Sequence, residues 1–194
     1  TIAASFMINQ LTITATAGIG GAITPSGAVH VNYGEDQKFE IEQNTGYSFS
    51  NLLVDGMHVD STTSYTFTNV IANHTIAASF MINQLTITAT AGTGGSITPS
   101  GVLSVNYGSN QQFTIISSTG YSIDSVDVDG DKVDSTASYT FVNVKENHTI
   151  YASFIQKTYI ITASAGVGGT ITPEGSVTVI HGSNQSFVIA PVTG

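Results

Sequence analysis

Apolar and polar residues alternate with a period of two along most of this chain. The first such segment places Leu11, Ile13 and Ala15 on one side, with threonines between them. This period is typical of β-strands with one buried face. Further short alternating segments follow, separated by residues that favour turns, and none shows a sustained helical period. The pattern therefore predicts seven or eight short strands in each 74-residue stretch.

Turn residues divide the predicted strands. The Asp-Gly pair at 55–56 lies between two apolar runs and supplies the positive φ of a type I′ hairpin turn. An Asn-Thr-Gly sequence at 44–46 ends one strand, and the run 47–54 predicts a strand interrupted by a bulge. A further strand is predicted from Tyr65 to Val70.

The chain is an array of repeats. Residues 1–18 are identical to residues 75–92, and 11–84 aligns with 85–158 without insertion or deletion. Such periodicity predicts tandem units that pack on their neighbours. The predicted organisation is the C-terminal strand of a preceding repeat at 1–10, full repeats at 11–84 and 85–158, and a partial third repeat at 159–194. A short polar hinge, 81–84, is predicted at the joint between the full repeats.

Aromatic residues recur at equivalent positions of the repeats, where strand alternation places most of them inward. We predict that they form the core and not an outward ligand platform, because large apolar side chains mostly lie inside. The recurring sets are Tyr33 with Tyr107, Phe39 with Phe113 and Phe187, Tyr47 with Tyr121, Tyr65 with Tyr139, Phe67 with Phe141, and Phe80 with Phe154.

Composition restricts the class of partner. Only 9% of the residues are charged, and 13 Asp+Glu against 4 Lys+Arg give a net charge of −9. Nucleic-acid binding requires clustered basic residues and is not predicted. No apolar run reaches the roughly 18 residues of a membrane span, so no membrane insertion is predicted. The absence of cysteine fits an exported protein.

Two groups of shared motifs carry a resemblance to a known family. Segments 46–80 and 120–154 share GYS, VDG, VDST, SYTF, NHTI and ASF in the same order. Segments 17–34 and 91–108 share ITPSG and VNYG, and the third copy retains ITPEG. These motifs resemble divergent internalin-type B-repeats of bacterial secreted and cell-surface proteins. The resemblance implies an extracellular or cell-surface array and supplies no catalytic residue.

An acidic cluster in the second full repeat is the first candidate for a metal site, because oxygen-rich clusters can bind Ca²⁺. Its members are Asp124, Asp127, Asp129, Asp131 and Asp134. Lys132 occupies the position where an EF-hand loop needs glycine, and the first repeat has Leu53 and Met57 in place of two of the acids. We therefore predict a solvated hairpin and no metal site.

His74 and His148 recur in Asn-His-Thr sequences, with no second histidine or cysteine at metal-ligand spacing. We interpret them as turn residues. Asn73, Asn147 and Asn184 each begin a glycosylation sequon, whose use depends on the host.

No repeated catalytic arrangement is present in the sequence, so no enzyme activity, catalytic residue or cofactor is predicted. The recurring threonine rows are explained by β-propensity and a polar outer face. A lysine–asparagine crosslink built into every copy is excluded, because no lysine recurs one repeat away. The lysines are Lys38, Lys132, Lys145 and Lys157.

The sequence thus predicts an all-β protein of small β-sandwich-like or β-grasp-like repeats, 74 residues each, arranged as a linear rod. The predicted function is a non-catalytic extracellular stalk or spacer, or part of a surface filament, with neighbouring repeats or copies of itself as partners. Strand edges left open at both ends of the chain favour the filament form. The alternative is an adhesive or glycan-binding module whose partners are host or cell-surface glycans or proteins.

Overall fold

Twenty β-strands form in the described part of the chain, residues 1–60 and 63–192 of a computed structural model. The predicted first repeat includes residues 61–62 and the predicted partial repeat includes 193–194, and both pairs lie outside the described residues. No helix occurs within the described ranges, which confirms the all-β prediction. That part of the chain accordingly holds no helix of the length and apolar character required to cross a membrane.

The strands of the first repeat are β1 (Gln10–Ala17), β2 (Gly21–Thr24), β3 (Gly27–Asn32), β4 (Gln37–Gln43), β5 (Tyr47–Val54), β6 (Met57–Val59), β7 (Ser64–Phe67) and β8 (His74–Ile82). The second repeat has β9 (Gln84–Ala91), β10 (Gly95–Thr98), β11 (Gly101–Asn106), β12 (Gln111–Ser117), β13 (Tyr121–Val128), β14 (Asp131–Val133), β15 (Ser138–Phe141) and β16 (His148–Gln156). The partial repeat has β17 (Thr158–Ala163), β18 (Gly169–Thr172), β19 (Gly175–Ile180) and β20 (Val188–Pro191).

Each full repeat contains two sheets. In the first repeat, the larger sheet has the order β3-β1-β8-β5-β6, and the smaller has the order β2-β4-β7. The pairing of β1 with β8 is parallel, whereas the other pairs are antiparallel. The second repeat reproduces this organisation as β11-β9-β16-β13-β14 and β10-β12-β15. Residues near the two ends of each repeat therefore lie side by side in one sheet.

One apolar core joins the two sheets of the first repeat. Ile13, Leu52 and Ile76 reach it from the larger sheet, and Phe39 and Phe67 reach it from the smaller sheet. Phe39 and Phe67 pack edge to face with ring centroids 5.9 Å apart. Two layers that share a core form a small sandwich, and this corresponds to the sandwich-like form of the prediction.

The chain divides into two compact units, Thr1–Leu85 with Asn106–Ser109, and Thr86–Val105 with Asn110–Gly194. The first unit therefore contains the first repeat and one short turn from the second. The second unit contains most of the second repeat and the two strand pairs of the partial repeat, β17 with β19 and β18 with β20. Residues 1–9 form no strand, although residues 75–82, the counterparts of 1–8, belong to β8.

The predicted bulge is present in both repeats. In β5, Phe49 lies opposite Phe80 and Asn51 lies opposite Ser79, so Ser50 is the extra residue. In β13 the register shifts in the same way between Ile123 and Ser125. The extra residue shifts the in–out alternation by one position, so that the inward side chains at the end of β5 face the core.

Two local predictions are wrong. The hinge predicted at 81–84 is almost entirely strand, because β8 ends at Ile82 and β9 begins at Gln84. The strand predicted to reach Val70 ends at Phe67. Val70 is nevertheless buried, and its amide donates to the Glu35 carbonyl over 2.9 Å, so a loop satisfies its backbone.

The recurring aromatic residues are only partly in the core. Phe39, Phe67, Phe113 and Phe141 are buried as predicted. Tyr33 instead lies just after β3 and is 57% exposed.

Candidate functional site

An aspartate–histidine pair recurs in both full repeats and is the one ionisable constellation that they share among the described residues. Asp55 begins the turn between β5 and β6 with a φ of 50°, and His74 begins β8. The Asp55 Oδ2 atom lies 2.7 Å from His74 Nδ1. Its Oδ1 atom accepts a hydrogen bond of 2.8 Å from the Thr75 amide. One carboxylate therefore joins the hairpin turn to the first residues of the neighbouring strand.

The second repeat reproduces this geometry. Asp129 has a φ of 54°, and its Oδ2 atom lies 2.7 Å from His148 Nδ1. The Thr149 amide donates to its Oδ1 atom over 2.7 Å. Both histidines also rest on a core aromatic residue. The ring centroids are 4.8 Å apart for Phe67 with His74 and 4.7 Å apart for Phe141 with His148.

In each repeat, the surroundings of the aspartate lower the pKa of its carboxyl group. Partial burial raises the pKa of Asp55, but the hydrogen bonds from Thr75 and His74 outweigh it and hold the pKa below its ordinary value of 3.8. For Asp129, partial burial is again outweighed by bonds from Thr149 and His148, so its pKa is also lowered. The carboxylate form is favoured in the folded protein, as expected for an acceptor of several hydrogen bonds.

This arrangement is suited to fixing a turn. The imidazole is held by the carboxylate on one edge and by a phenylalanine on one face, and the carboxylate is held by a backbone amide. Within residues 1–60 and 63–192, the hydroxyl of Thr75 contacts the pair, and it bonds the carboxylate at 3.5 Å and not the histidine. A nucleophile activated by histidine would have to bond the ring itself.

The structure does not gather the acidic cluster around one point. Asp129 belongs to the pair just described, whereas Asp127 accepts a hydrogen bond of 3.2 Å from Ser125. Asp124 is the bulge residue of β13 and accepts a bond of 3.3 Å from Ser153. Lys132 lies opposite Asp127 in the strand register. Across residues 1–60 and 63–192, no three His, Cys, Asp or Glu side chains are placed to hold a metal ion together.

Two sequon asparagines have a structural partner. The Asn73 side-chain oxygen accepts a hydrogen bond of 2.8 Å from the Thr12 amide, and Asn147 accepts the same bond from Thr86. Each asparagine thus ties the beginning of the first strand of its repeat to the residue just before the last strand.

Aromatic rings lie directly over several glycines. Within the first repeat, a Cβ at Gly20 would overlap with the ring of Tyr47, and one at Gly21 would overlap with Phe80. The second repeat has the equivalent contacts of Gly94 with Tyr121 and of Gly95 with Phe154.

An open cavity in the partial repeat lies at the corresponding place. It is lined by Gly168, Gly169, Ile171 and Ile189, among others. Residues 159–192 contain no counterparts of the covering aromatic residues. The cavity is therefore the position that a repeat's own rings fill, and it is not evidence of a ligand site.

Comparison with known proteins gives one family. The model of the divergent InlB B-repeat domain matches residues 11–84 and 85–158, which together exceed half of the chain. The chain belongs to this family. Its two B-repeats confirm the resemblance that the sequence motifs indicate. Neither the curated proteins nor the solved structures that were compared with the chain give a match. Tandem B-repeats are typical of bacterial surface or secreted proteins.

The sequence predicts the B-repeat histidines as turn residues, whereas each is the first residue of a strand, and the sequence does not reveal their aspartate partners. The members of each pair are 19 residues apart, and only the sheet order brings them together. A signal was nevertheless present, because the Asp-Gly turn and the Asn-His-Thr sequence both recur at the 74-residue offset. Polar residues that recur together are candidates for contact.

Proposed function

We propose that the chain is a non-catalytic structural segment of an extracellular bacterial protein, a stalk or spacer built from tandem B-repeats. The family and the all-β fold support this coarse class. In this role each copy extends the array and holds another part of the protein away from the surface.

The supporting observation is that the interactions shared by both B-repeats all stabilise the fold. The Asp–His pair, the core phenylalanine contacts and the β-bulge recur at the same offset. Some other polar contacts differ between the copies. For example, His58 contacts Asn51 in the first repeat, where the second has Lys132 and Ser125. Selection for a repeated binding site would instead be expected to retain surface chemistry in every copy.

The rival function is an adhesive or glycan-binding module. A platform for sugars needs outward aromatic residues on one face. Three exposed tyrosines are available, Tyr33, Tyr151 and Tyr159, and they occupy three non-equivalent positions of the repeat. Tyr151 corresponds to Ala77, and Tyr159 corresponds to Leu11. This distribution favours the structural role.

A length series tests the stalk. Chains carrying one, two and three additional copies of 11–84 should show, by small-angle X-ray scattering, a maximum dimension that rises by a constant step. The step should be about 30–40 Å, from the size expected of a domain this long. A dimension that grows only slowly with mass, as for a compact globule, would contradict the stalk. Saturable binding of the 194-residue chain to a glycan array would favour the rival.

A further inference from the structure

The geometry points to an additional interaction surface: we propose that Tyr33 is a docking residue that receives the Asn-Thr-Gly turn of another B-repeat placed before it. The partner is thus a B-repeat in the same chain, joined through residues 1–10. This inference concerns how B-repeats join, and it holds whether the array acts as a stalk or as an adhesin.

The first observation is a ring seated on a glycine inside the first unit. Gly46 ends the turn before β5 and is buried, and a Cβ there would overlap with the ring of Tyr107. Tyr107 belongs to the second repeat in sequence but to the first unit in the structure. The ring occupies the space that a Cβ would need, so only glycine leaves room for it.

A short backbone ladder accompanies the ring. The Asn83 amide donates to the Gly46 carbonyl over 2.9 Å, and the Tyr107 amide donates to the Asn83 carbonyl over 2.9 Å. Asn83 is the single residue between β8 and β9. Its amide and its carbonyl both make these backbone hydrogen bonds. The ring and the two backbone hydrogen bonds together hold Asn83 and Tyr107 against the Gly46 turn of the first unit.

The same arrangement occurs inside the second unit with a different ring. His181 lies over Gly120, its amide donates to the Lys157 carbonyl over 2.9 Å, and the Lys157 amide donates to Gly120 over 2.7 Å. A planar ring at this position, and not tyrosine in particular, is therefore what the glycine receives.

Tyr33 shares the ring and the backbone hydrogen bond of this arrangement but, among the described residues, has no glycine beneath the ring. It occupies the position of Tyr107 and His181 in its own repeat, and its amide donates to the Asn9 carbonyl over 2.9 Å. Asn9 corresponds to Asn83, because residues 1–10 are identical to 75–84. Tyr33 is 57% exposed, whereas Tyr107 is half-buried. The turn that seats Tyr107 is therefore the partner whose shape fits Tyr33.

The identity of residues 1–10 with 75–84 gives a direct test. Inserting a copy of residues 11–74 before Thr1 creates a complete B-repeat upstream. Amide hydrogen exchange at Asn9 and Tyr33 should then slow about tenfold or more, toward the rates of Asn83 and Tyr107, because their bonds become part of a packed joint. Unchanged exchange at Asn9 and Tyr33 in the extended chain would overturn the proposal.

Two tyrosine variants distinguish the contribution of the ring from that of the backbone hydrogen bonds. Tyr33→Ala should leave exchange at Asn9 unchanged in the 194-residue chain and restore fast exchange in the extended chain. Tyr107→Ala should speed exchange at Asn83 about tenfold in either chain. No effect of Tyr33→Ala in the extended chain would exclude a role for the ring. Loss of glycan-array binding in the 194-residue Tyr33→Ala variant would assign Tyr33 to another ligand and also overturn the proposal.

A glycine pair provides a control that does not depend on the tyrosine. Gly46→Ala and Gly27→Ala both place a side chain at a similar positive φ, 83° and 78°. No atom of the described residues lies within 4 Å of a Cβ at Gly27, so that variant carries the backbone strain alone. Gly46→Ala should speed exchange at Tyr107 well beyond the acceleration that Gly27→Ala produces, because only Gly46→Ala adds the clash with the ring to the backbone strain. Equal effects of the two variants at Tyr107 would contradict a seated ring.

Discussion

At the scale of single residues, the B-repeat uses charge sparingly and for structure. The carboxylates of Asp55 and Asp129 each hold one strand to one turn through a histidine and a backbone amide. A hydrogen bond from a backbone N–H to a carboxylate is stronger than one between neutral groups. The two aspartate side chains remain nearly half exposed, so solvent screening keeps the contribution of each pair to stability small.

The Asp129→Asn substitution should lower stability at pH 7 by about 0.5–1 kcal/mol, because the charge that both donors face is lost. The folded-state pKa of Asp129 lies below its ordinary value, so the stability it contributes is complete above about pH 4. This contribution is lost as the pH falls through the folded pKa. The difference between wild type and variant in urea unfolding should therefore shrink from pH 7 toward pH 2.

Asp134→Asn is the matched control, because Asp134 is an exposed acid of the same hairpin. It should leave urea unfolding at pH 7 nearly unchanged. A loss in Asp129→Asn that is the same at pH 7 and at pH 2 would show that the carboxylate charge is not what stabilises the turn.

At the scale of elements, the sequence predicted what local chemistry determines. Period-two alternation gave the strands, Asp55-Gly56 gave the hairpin turn, and the run after Gly46 gave the bulge. Two features could not be predicted from the sequence, because they depend on contacts between distant segments. The parallel pairing of β1 with β8 joins residues about 60 apart, and it alone brings Asn73 to Thr12. The Asp–His pair follows from that same sheet order.

The bulge sets the register of β5 and gives the element-scale prediction. Deleting Ser50 would remove the extra residue, so either Leu52 and Val54 or the start of β5 must turn away from the core. Exposing two such side chains costs roughly 3–5 kcal/mol, a large part of the stability of a small domain. Hydrogen exchange should show the first repeat unfolded.

Ser50→Ala keeps the register and should change stability by less than about 0.5 kcal/mol, since Ser50 is exposed. The matching deletion of Asp124 should unfold the second repeat for the same reason. A Ser50 deletion that leaves exchange in β5 protected would show that the alternation of β5 does not depend on the bulge.

At the scale of the whole molecule, the sequence repeats and the structural units have different boundaries. The repeat alignment divides the chain between 84 and 85, yet Asn106–Ser109 belongs to the first unit. The sequence could not show this, because the position of Tyr107 on Gly46 depends on the fold of both segments. The turn that follows β11 should therefore share the stability of the first B-repeat.

Phe39 and Phe113 form a matched pair that tests this assignment, because both are fully buried at equivalent positions. Phe39→Leu should destabilise the first unit by on the order of 1 kcal/mol, or about fivefold in the rate of amide exchange. The Tyr107 amide should exchange faster by the same factor, since it bonds to Asn83 of that unit. The Ile115 amide, which bonds to Ala137 in the second unit, should be unaffected. Phe113→Leu should instead accelerate Ile115. If Phe39→Leu leaves Tyr107 unchanged, the turn at 106–109 is stabilised by its own repeat, and the sequence boundary is the correct one.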